Sequence, residues 1–352
     1  MTASPYESEA FFHQLLSKAI AAGASDVHIK AGQPPGARVR GEIVYFRVDK
    51  ITPADSRAVA AHVLKGLDRA RDLDEVREID TAYSVPTLAR FRANVYRQRG
   101  SLAAVLRAIP SKIPTLEELG VAVACRELAS KPRGLVVVVG AAGNGKSTTL
   151  ASMISEMNRT RALHIVTIED PIEFLHKDDR SSISQREVGL DTPTFATALR
   201  AALRQDPDVI LLGEIRDTET MEIALMAAET GHLVLSTLHT PDVYRTVYRM
   251  LSLSSGDPKE MRERIADTLQ GVVAQRLVSR ADGQGLVLVS EVLVVTGTVR
   301  EAIKRPDSNP PLKDLMEKGA HPYGMQTFEM HLKHLVNQGM VNREEARGAT
   351  GF

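Results

Sequence analysis

Tryptophan is absent from the 352 residues, aromatics make up only 4% of them, and there is one cysteine, Cys125. A lone cysteine excludes an internal disulfide and any multi-cysteine zinc site. Cys125 is then a small core or surface residue, and the cytoplasm is the expected compartment. Few aromatics leave little for stacking on bases, and neither sign of charge predominates, with 44 basic against 44 acidic residues. Both features argue against a dedicated nucleic-acid binder. No run approaches the roughly 20 apolar residues of a membrane span. The first residues, Met1-Thr2-Ala3-Ser4-Pro5-Tyr6-Glu7, show no basic region followed by an apolar one, so no secretory signal is expected. What is present, 43% hydrophobic and 25% charged residues, is the composition of a soluble globular protein long enough for two domains.

Apolar residues at helical spacing (Phe11, Phe12, Leu15, Leu16, Ala19, Ile20) predict a helix over 8–22. Polar and apolar residues alternate over 38–45, from Arg38 and Arg40 to Tyr45, and again over 82–109 through Phe91, Ala93 and Val95. That is the period of half-buried strands. Between them Thr52 and Pro53 suit the N-cap and first residue of a helix near 52–67. Residues 1–112 therefore read as a small α+β domain. Pro110 and Pro114 bracket a linker to a second domain, 113–352.

That second domain holds the sharpest motif: Gly140, Ala141, Ala142, Gly143, Asn144, Gly145, Lys146, Ser147, Thr148. It fits G-x-x-x-x-G-K-[ST], after a β-branched run at 135–139 and before a helix-like stretch. Glycines let backbone N–H groups approach phosphate oxygens, and a helix start adds unpaired donors and a positive dipole end. Lys146 is placed to reach β- and γ-phosphates and Ser147 to hold Mg²⁺, so the expected ligand is a nucleoside triphosphate. Further apolar runs at 164–168, 209–212 and 233–237 predict a mostly parallel sheet covered by helices. One strand between the loop helix and the acidic strand is the order of RecA-like proteins. From about residue 258 the pattern is largely helical, with a strand pair near 277–295.

Phosphoryl transfer needs Mg²⁺, a positioned water and positive charge beside the cradle. Glu214 ends an apolar strand and is expected at the sheet edge by the loop, to hold Mg²⁺ through water or to orient the attacking water. Gly213 stands where many ATPases carry a Mg²⁺-binding aspartate. Glu169, Asp170 and Glu173 supply three acids around the turn at Pro171. His232 and His239 bracket the strand at 233–237, as candidate reporters of the γ-phosphate to a neighbouring subunit. The first domain offers Arg90, Arg92, Arg97, Arg99 and Arg107 as candidate arginine fingers.

These residues together resemble a family, the secretion ATPases of type II secretion and type IV pili, and within it the pilus-retraction motor group of PilT-like proteins. Ala24-Ser25-Asp26-Val27-His28, the acids around Pro171, the segment Gly213-Glu214-Ile215-Arg216-Asp217, the two histidines and Tyr323-Gly324-Met325-Gln326-Thr327 carry the likeness. The resemblance implies a homohexameric ring of PAS-like N-terminal (1–112) and RecA-like C-terminal (113–352) domains, with ATP between the domains. It implies Glu173 and Glu214 as leading catalytic carboxylates and His232 and His239 as sensors. Arg92, Arg99 and Arg107 become the finger candidates. It also implies an inner-membrane platform protein as partner within the pilus machinery, and a peripheral place at that membrane. Two departures stand out. The loop has Ala141-Ala142-Gly143-Asn144 where the family usually has Pro-Thr-Gly-Ser, and the family's Ala-Ile-Arg-Ala-Gly motif is here Thr298-Val299-Arg300-Glu301-Ala302. An assembly or secretion ATPase, or an accessory retraction paralogue, is the alternative within the family. A RecA-like nucleic-acid translocase is the distant one.

Overall fold

A computed structural model describes residues 4–39, 41–67, 72–109, 112–121 and 123–350. Arg40, Pro110 and Met1 to Ala3, singled out above, lie outside the described residues. The chain divides into two compact units. One holds Met1–Lys112 with Pro171–Phe174, and the other Ile113–Asp170 with Leu175–Phe352.

The first unit follows α1 (Glu9–Ala21) with β1 (Ala24–Lys30), β2 (Gly36–Val39), β3 (Glu42–Tyr45), α2 (Pro53–Val63), β4 (Glu78–Val85), β5 (Ala89–Gln98) and β6 (Ser101–Ala108). The six strands form one antiparallel sheet, β3-β2-β1-β6-β5-β4. Ser8 caps α1, and Thr52 with Asp55 forms a full capping box at α2, the reciprocal arrangement that satisfies two orphan donors. Phe12, Leu16, Val59 and Val63 share a core with Val27, Ile29, Phe91, Val95 and Leu106 of the sheet. Alternation then sends Asp26, Arg92 and Arg107 to the other face, where Arg107 sits directly across from both Asp26 and Arg92.

The second unit runs α3 (Val123–Ala129), β7 (Gly134–Val139), α4 (Lys146–Thr160), β8 (His164–Glu169), β9 (Ser182–Glu187), α5 (Phe195–Ala202), β10 (Val209–Leu212), α6 (Thr218–Glu229) and β11 (Leu233–Leu238). It continues through α7 (Val243–Ser252), α8 (Pro258–Thr268), β12 (Leu269–Ser279), β13 (Leu286–Val294), α9 (Gly297–Lys304), α10 (Leu312–Lys318), α11 (Phe328–Asn337) and α12 (Arg343–Thr350). The seven-stranded sheet has the order β13-β12-β7-β11-β10-β8-β9, parallel except for β13. Every residue of β7, β10 and β11 is buried, as in parallel strands covered on both faces. The expected mixed architecture, an antiparallel α+β part before a mostly parallel sheet, is what forms.

One expectation is corrected. The strand pair read near 277–295 begins at Leu269, and β12 lies alongside β7 as part of the central sheet. Around this pair the stretch from 258 is helical, as expected. Only α8 precedes the pair, and α9 to α12 follow it. Cys125 on α3 is fully buried, and burial pushes its thiol up to about 12. Among the described residues no helix is long and apolar enough to cross a membrane.

Candidate nucleotide site

The glycine loop is built by steric need. At Gly140 φ is +147°, and a Cβ there would stand 2.5 Å from the Gln275 carbonyl oxygen. Gly143 (φ +81°) and Gly145 (φ +77°) have open space around them, so their left-handed backbone alone selects glycine. Gly145 is the N-cap of α4 and provides no side-chain cap. The first amides of the helix thus lack the side-chain acceptor that usually serves them. Lys146 is buried, its Nζ donating to the carbonyls of Gly140 (2.9 Å) and Ala141 (3.0 Å). Ser147 and Thr148 follow, half-buried in the first turn. Asn144 Oδ1 accepts from the Leu277 amide at 3.2 Å, and Gln275 Nε2 donates to Thr149 Oγ1 at 2.7 Å.

Parallel register brings the C-terminal ends of β7, β11, β10 and β8 to one edge. Glu214 is there, but its strand β10 does not pair with β7, because β11 runs between them. Gly213 N–H donates to Ile168 C=O at 2.8 Å, and Thr237 Oγ1 donates to the Gly213 carbonyl at 2.8 Å. These bonds fix the backbone that presents Glu214. Its side chain is 14% exposed, is ion-paired with Arg216, and accepts from His239 Nε2 at 3.3 Å. Glu214 and then Asp170 hold the Arg216 guanidinium above its ordinary value, against burial. Glu169 ends β8, where Thr167 Oγ1 (2.7 Å) and Gln185 Nε2 (3.2 Å) donate to its carboxylate.

His232 is not brought to this edge. It precedes β11, at the opposite end of the strand, and seven residue steps at about 3.3 Å put it about 23 Å from His239. Its Nδ1 bonds the Ala227 carbonyl at 3.0 Å, as a helix-end histidine does. Glu173 lies in Pro171–Phe174, grouped with the first unit. In that unit Arg107 Nε donates to buried Asp26 at 2.8 Å while its side chain stays 69% exposed. Burial raises the Asp26 carboxyl, but bonds from Arg107 and Ser25 hold it below its ordinary value. Arg92 and Arg99 are exposed, Arg99 in the β5–β6 turn at φ +46°. Arg97 is spent on the carbonyls of Leu73, Asp74, Val76 and Gly100. Arg90 Nη1 donates to Ser84 Oγ at 3.2 Å.

The sequence alone gave no site role to Arg216, Thr167, Gln185 and Gln275. Arg216 had a signal, two residues after Glu214. Thr167 acts two residues along its own strand, whereas Gln185 reaches Glu169 from β9 and Gln275 reaches α4 from β12, contacts that only the fold shows.

A glycine loop opening a helix, on a parallel sheet whose same edge carries carboxylates and a histidine, defines a P-loop nucleoside triphosphatase. The family model described as "Type II/IV secretion system protein" matches residues 4–285. Over 335 residues the chain is 42% identical to the type IV pilus retraction ATPase PilT of Pseudomonas aeruginosa, covering 95% of this chain and 96% of that one. It is 40% identical over 336 residues to the type IV pilus ATPase PilU of the same organism, covering 95% and 87% respectively. A crystal structure of the pilus retraction motor PilT with bound ADP superposes with a TM-score of 0.87 at 42% identity, over 96% of each chain. The chain belongs to the type II/IV secretion system ATPase family, among its pilus-retraction members.

Proposed function

We propose that this chain is a ring-forming motor that couples Mg²⁺-dependent ATP hydrolysis to the retraction of type IV pili. The observation that carries the reading is the shared edge of Lys146, Glu214 and His239 in a chain similar to PilT over nearly its whole length. The loop fits a triphosphate, since Gly140 leaves no room for a Cβ and α4 opens without a side-chain cap. Lys146 moves its ammonium from its own loop carbonyls to β- and γ-phosphate oxygens. Ser147 and Glu214 would hold Mg²⁺, which neutralises charge on those oxygens. Glu214 takes the proton of the attacking water, with Glu173 the other candidate. His239 steadies the Glu214 carboxylate. Arg92, Arg99 and Arg107 are finger candidates, supplied by a neighbouring subunit. Glu169 and Asp170 complete the acidic rim, and His232 serves away from the reacting phosphates.

On this reading the working form is a homohexamer at the cytoplasmic face of the inner membrane, acting on a platform protein of the pilus machinery. Turnover with ATP and Mg²⁺, lost by at least about 100-fold in Lys146→Ala, tests the chemistry. Protein that stays monomeric with ATP counts against the ring. Deletion in the source organism tests direction: hyperpiliated, non-twitching cells support retraction, and bald cells support assembly. The likeness to PilU supports a second reading, an accessory motor, for which deletion leaves twitching largely intact.

A further inference from the structure

We propose that Asn144 is a positioning residue whose side chain latches the glycine loop to the open edge of β12, and that this latch sets how tightly the loop holds its nucleotide. The proposal rests on the reading of residues 140–148 as the triphosphate cradle.

The physical reason lies in unequal strand lengths. β7 ends at Val139, paired with Ala274, whereas β12 continues to Ser279. Past Ala274, among the described residues, no strand pairs with the side of β12 that faced β7. Buried backbone donors and acceptors there need other partners. The glycine loop takes the place of the missing strand. The Leu277 amide donates to Asn144 Oδ1 at 3.2 Å, a side-chain bond in the position of a ladder bond. Two residues before Leu277, the Gln275 carbonyl stands 2.5 Å from where a Gly140 Cβ would be, so the loop lies flush on the strand. Gln275, wholly buried, also reaches Thr149 in the first turns of α4.

A serine at this place would have its oxygen one bond closer to the backbone and would not span the same distance. Asn144 therefore supplies a tie that a serine here would not. A loop braced in its binding shape loses less freedom when phosphate arrives, and one hydrogen bond of this kind is worth roughly a twofold to tenfold change in affinity.

The test uses the full chain and the variants Asn144→Ser and Asn144→Ala, with two readouts. Hydrogen exchange at the Leu277 amide should speed up by at least about fivefold in both variants. The KM for ATP should rise about threefold to tenfold, by a larger factor than kcat falls. Unchanged exchange at Leu277 overturns the latch. Faster exchange with an unchanged KM, or a fall in kcat alone, overturns its role in affinity. If the wild type hydrolyses no ATP, the function proposed above fails. Leu277 exchange and calorimetric binding of ADP then still decide the latch.

Discussion

The Gly213 amide donates to the Ile168 carbonyl at 2.8 Å, and a Cβ on Gly213 would stand 3.2 Å from that same oxygen. The strand end beside Glu214 is therefore held tight against β8, so that a side chain on Gly213 requires the Ile168 carbonyl to give by a few tenths of an ångström. Restoring the aspartate that many ATPases carry here should not restore a metal ligand. Gly213→Asp should lose about 1–3 kcal/mol of stability and gain no turnover. Thermal melting with an ATPase assay checks both. A variant that melts like the wild type would mean that the Ile168 contact gives way.

Glu214 sits between a cation and an imidazole, Arg216 and His239. Glu214→Gln keeps the shape but offers one acceptor oxygen where the carboxylate offers two, and it removes the base. Turnover should fall by about 100-fold or more while nucleotide binding persists. Equal turnover would move the role to Glu173.

Burial holds the His176 imidazole down to about 4, from an ordinary 6.5. The unfolded chain then binds more protons than the folded one between those values. Stability is intact above about pH 6.5, falls as pH drops, and levels off below about 4. The cost is at most about 3.5 kcal/mol at about 1.4 per unit. Melting temperature followed from pH 7 to 4 should fall less steeply in His176→Gln. Parallel curves would assign the acid sensitivity elsewhere.

Arg300, the arginine kept in the altered Thr298–Ala302 segment, donates to the Ala266 carbonyl at 3.0 Å and lies 3.6 Å from Asp267, which Lys304 also meets at 2.9 Å. It ties α9 to the end of α8. Arg300→Met should cost about 1 kcal/mol and lower the melting temperature by about 2–4 °C. Twitching by cells carrying it should decline more than ATPase activity does. A proportional loss of both would mean that the segment only stabilises.

The loop, Glu214 and His239 were legible because local sequence settles them: a glycine pattern between strand and helix, and polar residues just past apolar runs. What local pattern could not settle was strand order and length. Nothing at 209–212 says that β11 intervenes before β7. The hydrophobic run of β12 could not announce that it begins at Leu269 and flanks the loop. His232 misled for a related reason. A histidine at either end of a strand reads alike in sequence, but in a parallel sheet one end faces the loop and the other end is remote. Gln185 was invisible as a holder of Glu169, since its contact needs β8 and β9 side by side, whereas Thr167 reaches Glu169 along β8 itself.

Cys125, sealed inside α3 with its thiol pushed up to about 12, gives this chain a practical transparency. Thiol reagents react when a thiolate attacks them, so buried Cys125 offers them no nucleophile in the folded protein at neutral pH. A cysteine introduced on the surface of either unit can carry a fluorophore or spin label with the natural one left in place. Two such labels would follow the units through a cycle of hydrolysis. Any modification found at Cys125 itself would report chains that had opened.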